Sequence, residues 1–384
     1  MILGYDASGL ANPNSGSGRY THRLLVRLAD LAGGESFRIR PFYASWRQMP
    51  TVQAITGQLC LRTRRLAVPS RLQRLWWHRL GIPPLTWVAG AMDVVHANDW
   101  LNPPFPSRRT LNTVFDLAAF RYGELYPKHI RAAIMDRVRV LSRRGGWIVA
   151  TSEATRQDVL EFVRLPPERV VRIYMGTDHL EESAPQGLAS ETGSAPWRKP
   201  YILYVGTFEP RKNVSRLIQA YARLGDDLVR NFDLLLVGPN SGRAWNQDPS
   251  GALVEIATQR LTDCVHLLGP RSGLALRELY RHATVFAFPT LYEGFGIPVP
   301  EAMRCGVPVV AASTSSLPEI VGDAGVLVDP YDVEAIADGI RRILNDPHLA
   351  RELGYRGQQR IQSWTWERAA HEHYAVYRRI TEAL

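Results

Sequence analysis

Cysteine is scarce. Cys60, Cys264 and Cys305 are the only three in 384 residues, odd in number and far apart. They cannot build a disulfide framework and have no metal-ligand spacing, so a reducing compartment is expected. No apolar run approaches the ~20 residues that a membrane-spanning helix needs. Nor does a secretory leader open the chain, because Met1-Ile-Leu-Gly-Tyr-Asp reads directly as a strand. The expected location is cytoplasmic, with association at the inner face of the cell membrane left open. Internal repeats are absent. The one biased tract is Glu181–Pro200, rich in Ser, Ala, Gly, Thr and Pro and without apolar period, which reads as a linker.

What remains describes a two-core protein. With 45% hydrophobic and 22% charged residues, a chain of 384 suffices for two domains. Short β-branched runs alternate with helix-length stretches, the pattern of βαβ units with parallel sheets covered on both faces. Strands are predicted at Ile2–Ala7, Phe37–Ala44, Asp93–Ala97, Thr110–Phe115, Trp147–Thr151 and Val170–Tyr174. A second set follows at Tyr201–Val205, Asp233–Val237, Val265–Leu268, Val285–Phe288, Val307–Ala311 and Gly325–Val328. Helices are predicted over Val214–Leu224, Asp332–Asn345, His348–Ser363 and Thr365–Thr381, the last anchored by Trp366, Tyr374 and Tyr377. The chain thus divides into residues 1–182, a linker at 183–200, a second domain at 201–364 and a terminal helix at 365–384.

The net charge of +9 is unevenly placed. Residues 1–190 hold 25 Lys and Arg against 15 Asp and Glu, and the remainder holds 21 against 22. Acid is missing altogether from Arg62 to Arg79, where Arg62, Arg64, Arg65, Arg71, Arg74 and Arg79 accumulate, with Trp76, Trp77 and Trp87 in or just beyond the stretch. Cations interleaved with interfacial tryptophans suit an anionic membrane surface, at about 1 kcal/mol per near-surface cation. The competing reading is a helix with core tryptophans and solvated arginines. Nucleic acid is a weaker third.

The most informative stretch runs from Pro289 to Ala312. A short apolar run ends at Glu293, a Gly-x-Gly loop spans Gly294–Gly296, and Glu301 falls in the first turn of a helix. Glycines let backbone approach a ligand, and amides at a helix start attract anions. A diphosphate on those amides would have an acid on each side, with Glu301 free to accept ribose hydroxyls. Taken alone, Glu301 is equally explained as a first-turn acid that suits the helix dipole. A second block, Tyr201 to Asn213, ends a strand at Gly206 and places Arg211 and Lys212 on the turn before a helix. Paired cations at such a turn suit a pyrophosphate leaving group. A third segment, Ser8 to Gly18, has Gly16 and Gly18 at a helix expected to begin near Arg19, leaving bare amides there. It is not a dinucleotide fingerprint, because Thr21 holds the third glycine position.

Glu293 and Glu301, together with the Gly-Thr-Phe-Glu-Pro-Arg-Lys-Asn block before them, resemble the signature of retaining family 4 (group 1) glycosyltransferases. The resemblance covers nearly the whole chain and is best from Tyr201 onward. It implies an α/β architecture of the GT-B fold, two Rossmann-like doubly wound parallel-sheet domains with an interdomain cleft, the last helix crossing back to the N-terminal domain. It also implies transfer of a hexose from a nucleotide diphosphate sugar to a glycan or lipid-linked acceptor. By the same resemblance Arg211 and Lys212 bind the donor diphosphate. The loop Gly294, Phe295, Gly296 and Ile297 lines the sugar-phosphate site, with Gly206 beside it. Glu293 addresses the sugar, Glu301 the ribose, and Gly16 and Gly18 the donor phosphates. Bacterial polysaccharide mannosyltransferases look nearest, which makes GDP-mannose the expected donor. No metal or other cofactor is expected, since two cations stand where a divalent ion would act and no Asp-x-Asp cluster is present. One position departs from the pattern: many relatives carry His-Asp where this chain has Phe115-Asp116, so a donor-sugar hydroxyl loses a polar partner while Asp116 matches. His96 reads as structural.

Two other function classes share parts of these features. A phosphorylase or epimerase-type enzyme would have the same fold, and a UDP-sugar would suit the same cations as GDP-mannose. A non-enzymatic membrane or nucleic-acid module would use the basic half alone and leave both acid and cation pairs idle.

Overall fold

The computed structural model describes residues 1–384 except 14, 35–36, 46–47, 68–81, 83, 99–103, 181–196, 198, 239–249, 272 and 383–384. Two compact units emerge, one comprising Met1–Gly176 with Trp364–Leu384 and the other Thr177–Ser363. The chain enters the second unit at Thr177, which brings His179 into it. Most of the expected linker at 183–200 lies outside the described residues.

In the first unit, β1 (Ile2–Asp6), β2 (Arg38–Ala44), β3 (Arg64–Leu66), β4 (Val94–Asn98), β5 (Thr110–Val114), β6 (Trp147–Ala150) and β7 (Val170–Arg172) form one sheet. It is parallel throughout, in the order β3-β2-β1-β4-β5-β6-β7. The central strands are buried along their whole length, as a sheet covered on both faces requires. In the second unit, β8 (Tyr201–Val205), β9 (Asp233–Val237), β10 (Val265–Gly269), β11 (Val285–Phe288), β12 (Val309–Ala312) and β13 (Gly325–Val328) are ordered β10-β9-β8-β11-β12-β13, again all parallel. Each unit thus holds the doubly wound parallel α/β sheet expected from the sequence.

Strand β3 was not anticipated. Only three residues long and two of them arginine, it has no β-branched run to reveal it. It pairs with β2 at the sheet edge, burying Leu66 while Arg64 and Arg65 stay exposed. Charged side chains on an edge strand oppose edge-to-edge association. Part of the basic segment therefore serves the sheet. Arg71, Arg74, Arg79, Trp76 and Trp77 lie outside the described residues, and Trp87, on the short helix Leu85–Ala89, is 80% exposed. Among the described residues no helix is long and apolar enough to cross a membrane.

Helices follow local chemistry. Ser152, Asp332 and Asp346 cap theirs by accepting amide N–H groups of the first turn. The helix Val214–Ala222 buries Val214, Leu217, Ile218 and Tyr221, one face at helical spacing. The last helix, Trp366–Glu382, buries Trp366, Ala369, His373, Val376, Tyr377 and Ile380 and packs on the helix Gly16–Gly34 within the first unit.

A polar thread crosses that packed interior. Tyr377 Oη meets His96 Nδ1 at 2.7 Å, and His96 Nε2 meets Thr113 Oγ1 at 2.7 Å. Thr113 Oγ1 is 2.9 Å from Tyr20 Oη, which is 2.8 Å from His373 Nε2. His373 Nδ1 ends the thread on Ala369 O at 2.6 Å. A carbonyl only accepts, so the proton sits on His373 Nδ1. Every bond is then satisfied with both imidazoles neutral and the His96 proton on Nε2. Burial pushes the His373 pKa down to about 4, only partly offset by its backbone hydrogen bond. His96 is held well below its ordinary value by burial and, second, by repulsion from His373. His96 is thus a structural residue, as its sequence context suggests.

Candidate active site

The order of the second sheet reverses between β8 and β11: β9 and β10 continue to one side, β12 and β13 to the other. Where neighbouring strands send their following loops apart, a crevice opens at their carboxyl ends, the usual ligand position in open α/β sheets. The loop after β8 carries Gly206, Arg211 and Lys212, and the loop after β11 carries Glu293 to Ile297.

The β8 loop is fixed before any ligand arrives. Gly206 donates its N–H to Val237 O at 2.9 Å, and a Cβ there would stand 2.6 Å from Tyr204 Oη. A 3-10 turn, Pro210–Lys212, then ends at Asn213 in the left-handed region at φ +62°. Asn213 Nδ2 donates to Pro289 O at 2.8 Å and to Pro330 O at 2.7 Å, fastening this turn to the end of β11. Leu291 N–H completes the join on Arg211 O at 2.9 Å.

Arg211, Lys212 and Glu293 converge. Arg211 Nη1 donates to Tyr292 O at 2.6 Å and lies 3.5 Å from Glu293 Oε2, while Nη2 lies 3.4 Å from Glu209 Oε1. Thr207 Oγ1 holds that same Glu209 oxygen at 2.6 Å. Lys212 Nζ donates to Glu293 Oε1 at 2.5 Å. Lysine is rare here: only Lys128, Lys199 and Lys212 occur among 46 basic residues. A compact ammonium, unlike a guanidinium fork, can turn between partners on its flexible stem. The backbone of Glu293 is anchored as well, its N–H donating to Ser315 Oγ at 2.8 Å and its carbonyl accepting from Ser315 Oγ and from Ser316 Oγ at 2.9 Å. Two cations and two carboxylates thus form a nearly buried, charge-balanced cluster. An incoming diphosphate would draw Lys212 away from Glu293 and replace one anion by another.

Two expectations need correction. The helix after the glycine loop, Pro298–Arg304, offers no array of open amides. Pro298 and Pro300 have no N–H, Val299 N–H is used by Gly296 O at 2.9 Å, and Glu301 N–H by Ile297 O at 3.1 Å. Any amide contribution therefore falls to the loop Gly294, Phe295, Gly296 and Ile297. Gly296 is at φ +76°, where a Cβ would stand 2.7 Å from Leu317 Cδ2. Glu301, in turn, is not free. It is 1% exposed, with Oε1 2.8 Å from His179 Nε2 and Oε2 accepting from Tyr280 Oη at 2.9 Å. A ribose hydroxyl would have to exchange with one of these partners or share an oxygen with it.

Gly16, Gly18 and Asp116 belong to the first unit. The helix starts at Gly16, not near Arg19, so Gly18 lies inside its first turn. Its amide is not bare, because it donates to Ser15 Oγ at 3.0 Å. A Cβ on Gly18 would meet Asn12 O at 1.9 Å, so the residue is required for close backbone approach. Asp116 Oδ1 accepts from Ala118 N–H at 3.0 Å and fixes the turn into the short helix Ala118–Arg121. Phe115 lies edge-on to Tyr20, ring centroids 5.0 Å apart.

Residues whose part was not anticipated are Glu209, Asn213, Ser315, His179 and Tyr280. Glu209 and Asn213 stand in the quoted Glu-Pro-Arg-Lys-Asn block and were legible in principle. His179 is 122 residues from the carboxylate it meets, and no local pattern marks it. Tyr280→Phe removes one hydrogen bond to a buried carboxylate. It should lower the stability of the second unit by ~1.5–3 kcal/mol. Urea unfolding checks this; unchanged stability would show that Tyr280 does not hold Glu301.

The family model for glycosyl transferases group 1 matches residues 190–360. The chain is 30% identical to the O-antigen chain mannosyltransferase B of Escherichia coli over 380 residues, covering 95% of this chain and 96% of that one. It is 32% identical to an MMP alpha-(1->4)-mannosyltransferase of Mycolicibacterium hassiacum over 235 residues, 60% of this chain and 53% of the relative. Among solved structures, sucrose-phosphate synthase from Thermosynechococcus elongatus superposes with a TM-score of 0.75 at 23% identity, each chain fully covered. Anabaena HepE, solved with UDP and glucose, gives 0.69 at 18% identity, covering 98% of both chains. With identity sustained across the whole length of a relative, and the same architecture in these solved structures, the chain belongs to the group 1 glycosyltransferases of the GT-B fold.

Proposed function

We propose that this glycosyltransferase moves a mannosyl residue from GDP-mannose to a glycan or lipid-linked acceptor, with retention at the anomeric carbon, in the assembly of a bacterial polysaccharide. The observation that carries the reading is the meeting of Arg211, Lys212 and Glu293 at the reversal point between β8 and β11. Lys212 and Arg211 balance the charge that develops on the departing diphosphate. Glu293, released from Lys212 when the diphosphate arrives, turns to the sugar hydroxyls. Glu301 supplies an oxygen to the ribose while His179 and Tyr280 keep its carboxylate in place. The mannosyl assignment is supported by the names of the relatives, two of which are mannosyltransferases.

A panel of GDP-mannose, GDP-glucose, UDP-glucose and ADP-glucose, scored by thermal shift and by turnover, tests the donor. Stabilisation and turnover with GDP-mannose are expected. A response to UDP-glucose alone would replace the donor and leave the transferase class standing. Proton–carbon coupling at the product's anomeric centre tests retention, for which the linkage must keep the α configuration of the donor.

A further inference from the structure

Among the described residues five that are not glycine have a positive φ: Cys60, Arg164, Asn213, Arg260 and Ser315. Cys60, Arg164 and Arg260 each stand two places past a helix, where a left-handed residue is a common way to end it. Asn213 closes the turn that carries Arg211 and Lys212. Ser315, at φ +59°, lies in the loop after β12 and has neither reason. The left-handed region is unfavourable for serine, and residues held there cluster at active sites and ligand clamps. We propose that Ser315 is a positioning residue for sugar transfer, its strain retained because its hydroxyl fixes the main chain of Glu293. The inference rests on the reading above, in which Glu293 turns to the sugar, and adds the group that aims it.

A hydroxyl has one proton to give and two lone pairs to fill. Ser315 Oγ uses all three on main chain: it accepts from Glu293 N–H at 2.8 Å and from Ser316 N–H at 2.6 Å, and it donates to Glu293 O. Neighbouring hydroxyls complete the brace, Ser316 Oγ donating to Glu293 O at 2.9 Å and Thr314 Oγ1 to Leu291 O at 3.1 Å. Both polar groups of the Glu293 main chain are therefore held by side chains of a single loop. With N–H and C=O fixed, the Cα–Cβ bond has one direction, and the carboxylate can leave Lys212 only by turning about its own torsions. Other residues separate the properties that serine combines here. Glycine would relax the backbone but bring no hydroxyl, and alanine would keep the strain and lose the bonds. Asparagine tolerates the left-handed region, yet it divides donor and acceptor between two atoms.

The test uses the full chain and substitutions that part strain from hydroxyl. Ser315→Gly relieves the backbone, Ser315→Ala keeps the strain, and both lack the oxygen. The glycine variant should therefore melt above the alanine variant, the reverse of their usual order, while both lower kcat with GDP-mannose at least ~10-fold. Ser315→Thr keeps the hydroxyl on a β-branched residue, so it should melt below the wild type and yet lose less than ~3-fold in kcat. If it does not fold, the other two decide. GDP should bind Ser315→Gly at least as tightly as the wild type, since Arg211 and Lys212 belong to the β8 loop. In Glu293→Ala, adding Ser315→Gly should lower the rate no further, because the hydroxyl acts through Glu293. Wild-type kcat in Ser315→Gly, or its full loss repeated in the Glu293→Ala background, overturns the proposal and leaves the transferase reading intact. Wild-type kcat in Glu293→Ala strikes the part given to Glu293 and overturns the proposal with it. Should the donor panel select another nucleotide sugar, the same ratios are read with that donor.

Discussion

Lys212→Ala is expected to lower kcat for sugar transfer ~10²–10³-fold, equivalent to ~3–4 kcal/mol of transition-state stabilisation, in a protein that stays folded. The size follows from where the ammonium lies. It is nearly buried, 2.5 Å from Glu293 Oε1, in a site where water screens little. Glu293 remains beside Arg211 at 3.5 Å after the substitution, so the carboxylate is not left without a cation and the fold should survive. Lys212→Arg should not restore the rate, because a planar guanidinium cannot pivot between Glu293 and a diphosphate as an ammonium can. The partner substitution is expected to act with the opposite sign on binding. Glu293→Gln releases Lys212 from its ion pair, so free GDP should bind more tightly even as transfer slows. Wild-type kcat in Lys212→Ala, with a normal melting profile, would remove the cluster from the mechanism.

Acid should unfold the first unit earlier than carboxylate titration alone requires. His96 and His373 are fully buried and neutral, and burial holds His373 at about 4. In the unfolded chain a histidine titrates near 6.5. Between those values the unfolded state binds a proton that the native state refuses, so stability is complete above about pH 6.5 and falls as the pH drops toward 4. His373 alone accounts for ~3 kcal/mol over that window, at about 1.4 kcal/mol per pH unit. His96 adds to it in the same direction, its pKa being depressed for the same reason. Urea midpoints followed between pH 7.5 and 5 should therefore decline. The decline should be shallower in His373→Gln, which cannot take up the proton. A flat profile in the wild type, or an identical slope in the variant, would mean that these imidazoles are already charged in the fold.

Local signals in the sequence reached far. Periodicity located twelve of the thirteen described strands, because buried parallel strands read as short β-branched runs bounded by turn residues. The exception, β3, shows the limit: an edge strand of Arg-Arg-Leu owes its existence to its neighbour β2, not to its own composition. The cluster of Arg211, Lys212 and Glu293 was legible for a related reason. Arg211 and Lys212 lie in the loop that follows one strand and Glu293 in the loop that follows another, so each is marked by its own element.

Spacing could not say which groups already hold one another. Glu301 was expected to be free for a ribose hydroxyl, yet His179, 122 residues earlier, and Tyr280 occupy its two oxygens. Gly18 has the spacing of a phosphate loop, yet its amide is consumed by Ser15 three residues before it. Composition, strand and helix chemistry and the two motif loops were determined by the sequence itself, since each rests on neighbours within a few residues. Tertiary structure alone decided the strand order that brings β8 beside β11, the partners of the buried carboxylates and the hydroxyls that hold Glu293. Those depend on contacts between segments far apart in the chain, whose pairing is set by the packing of whole sheets and helices and leaves no local trace.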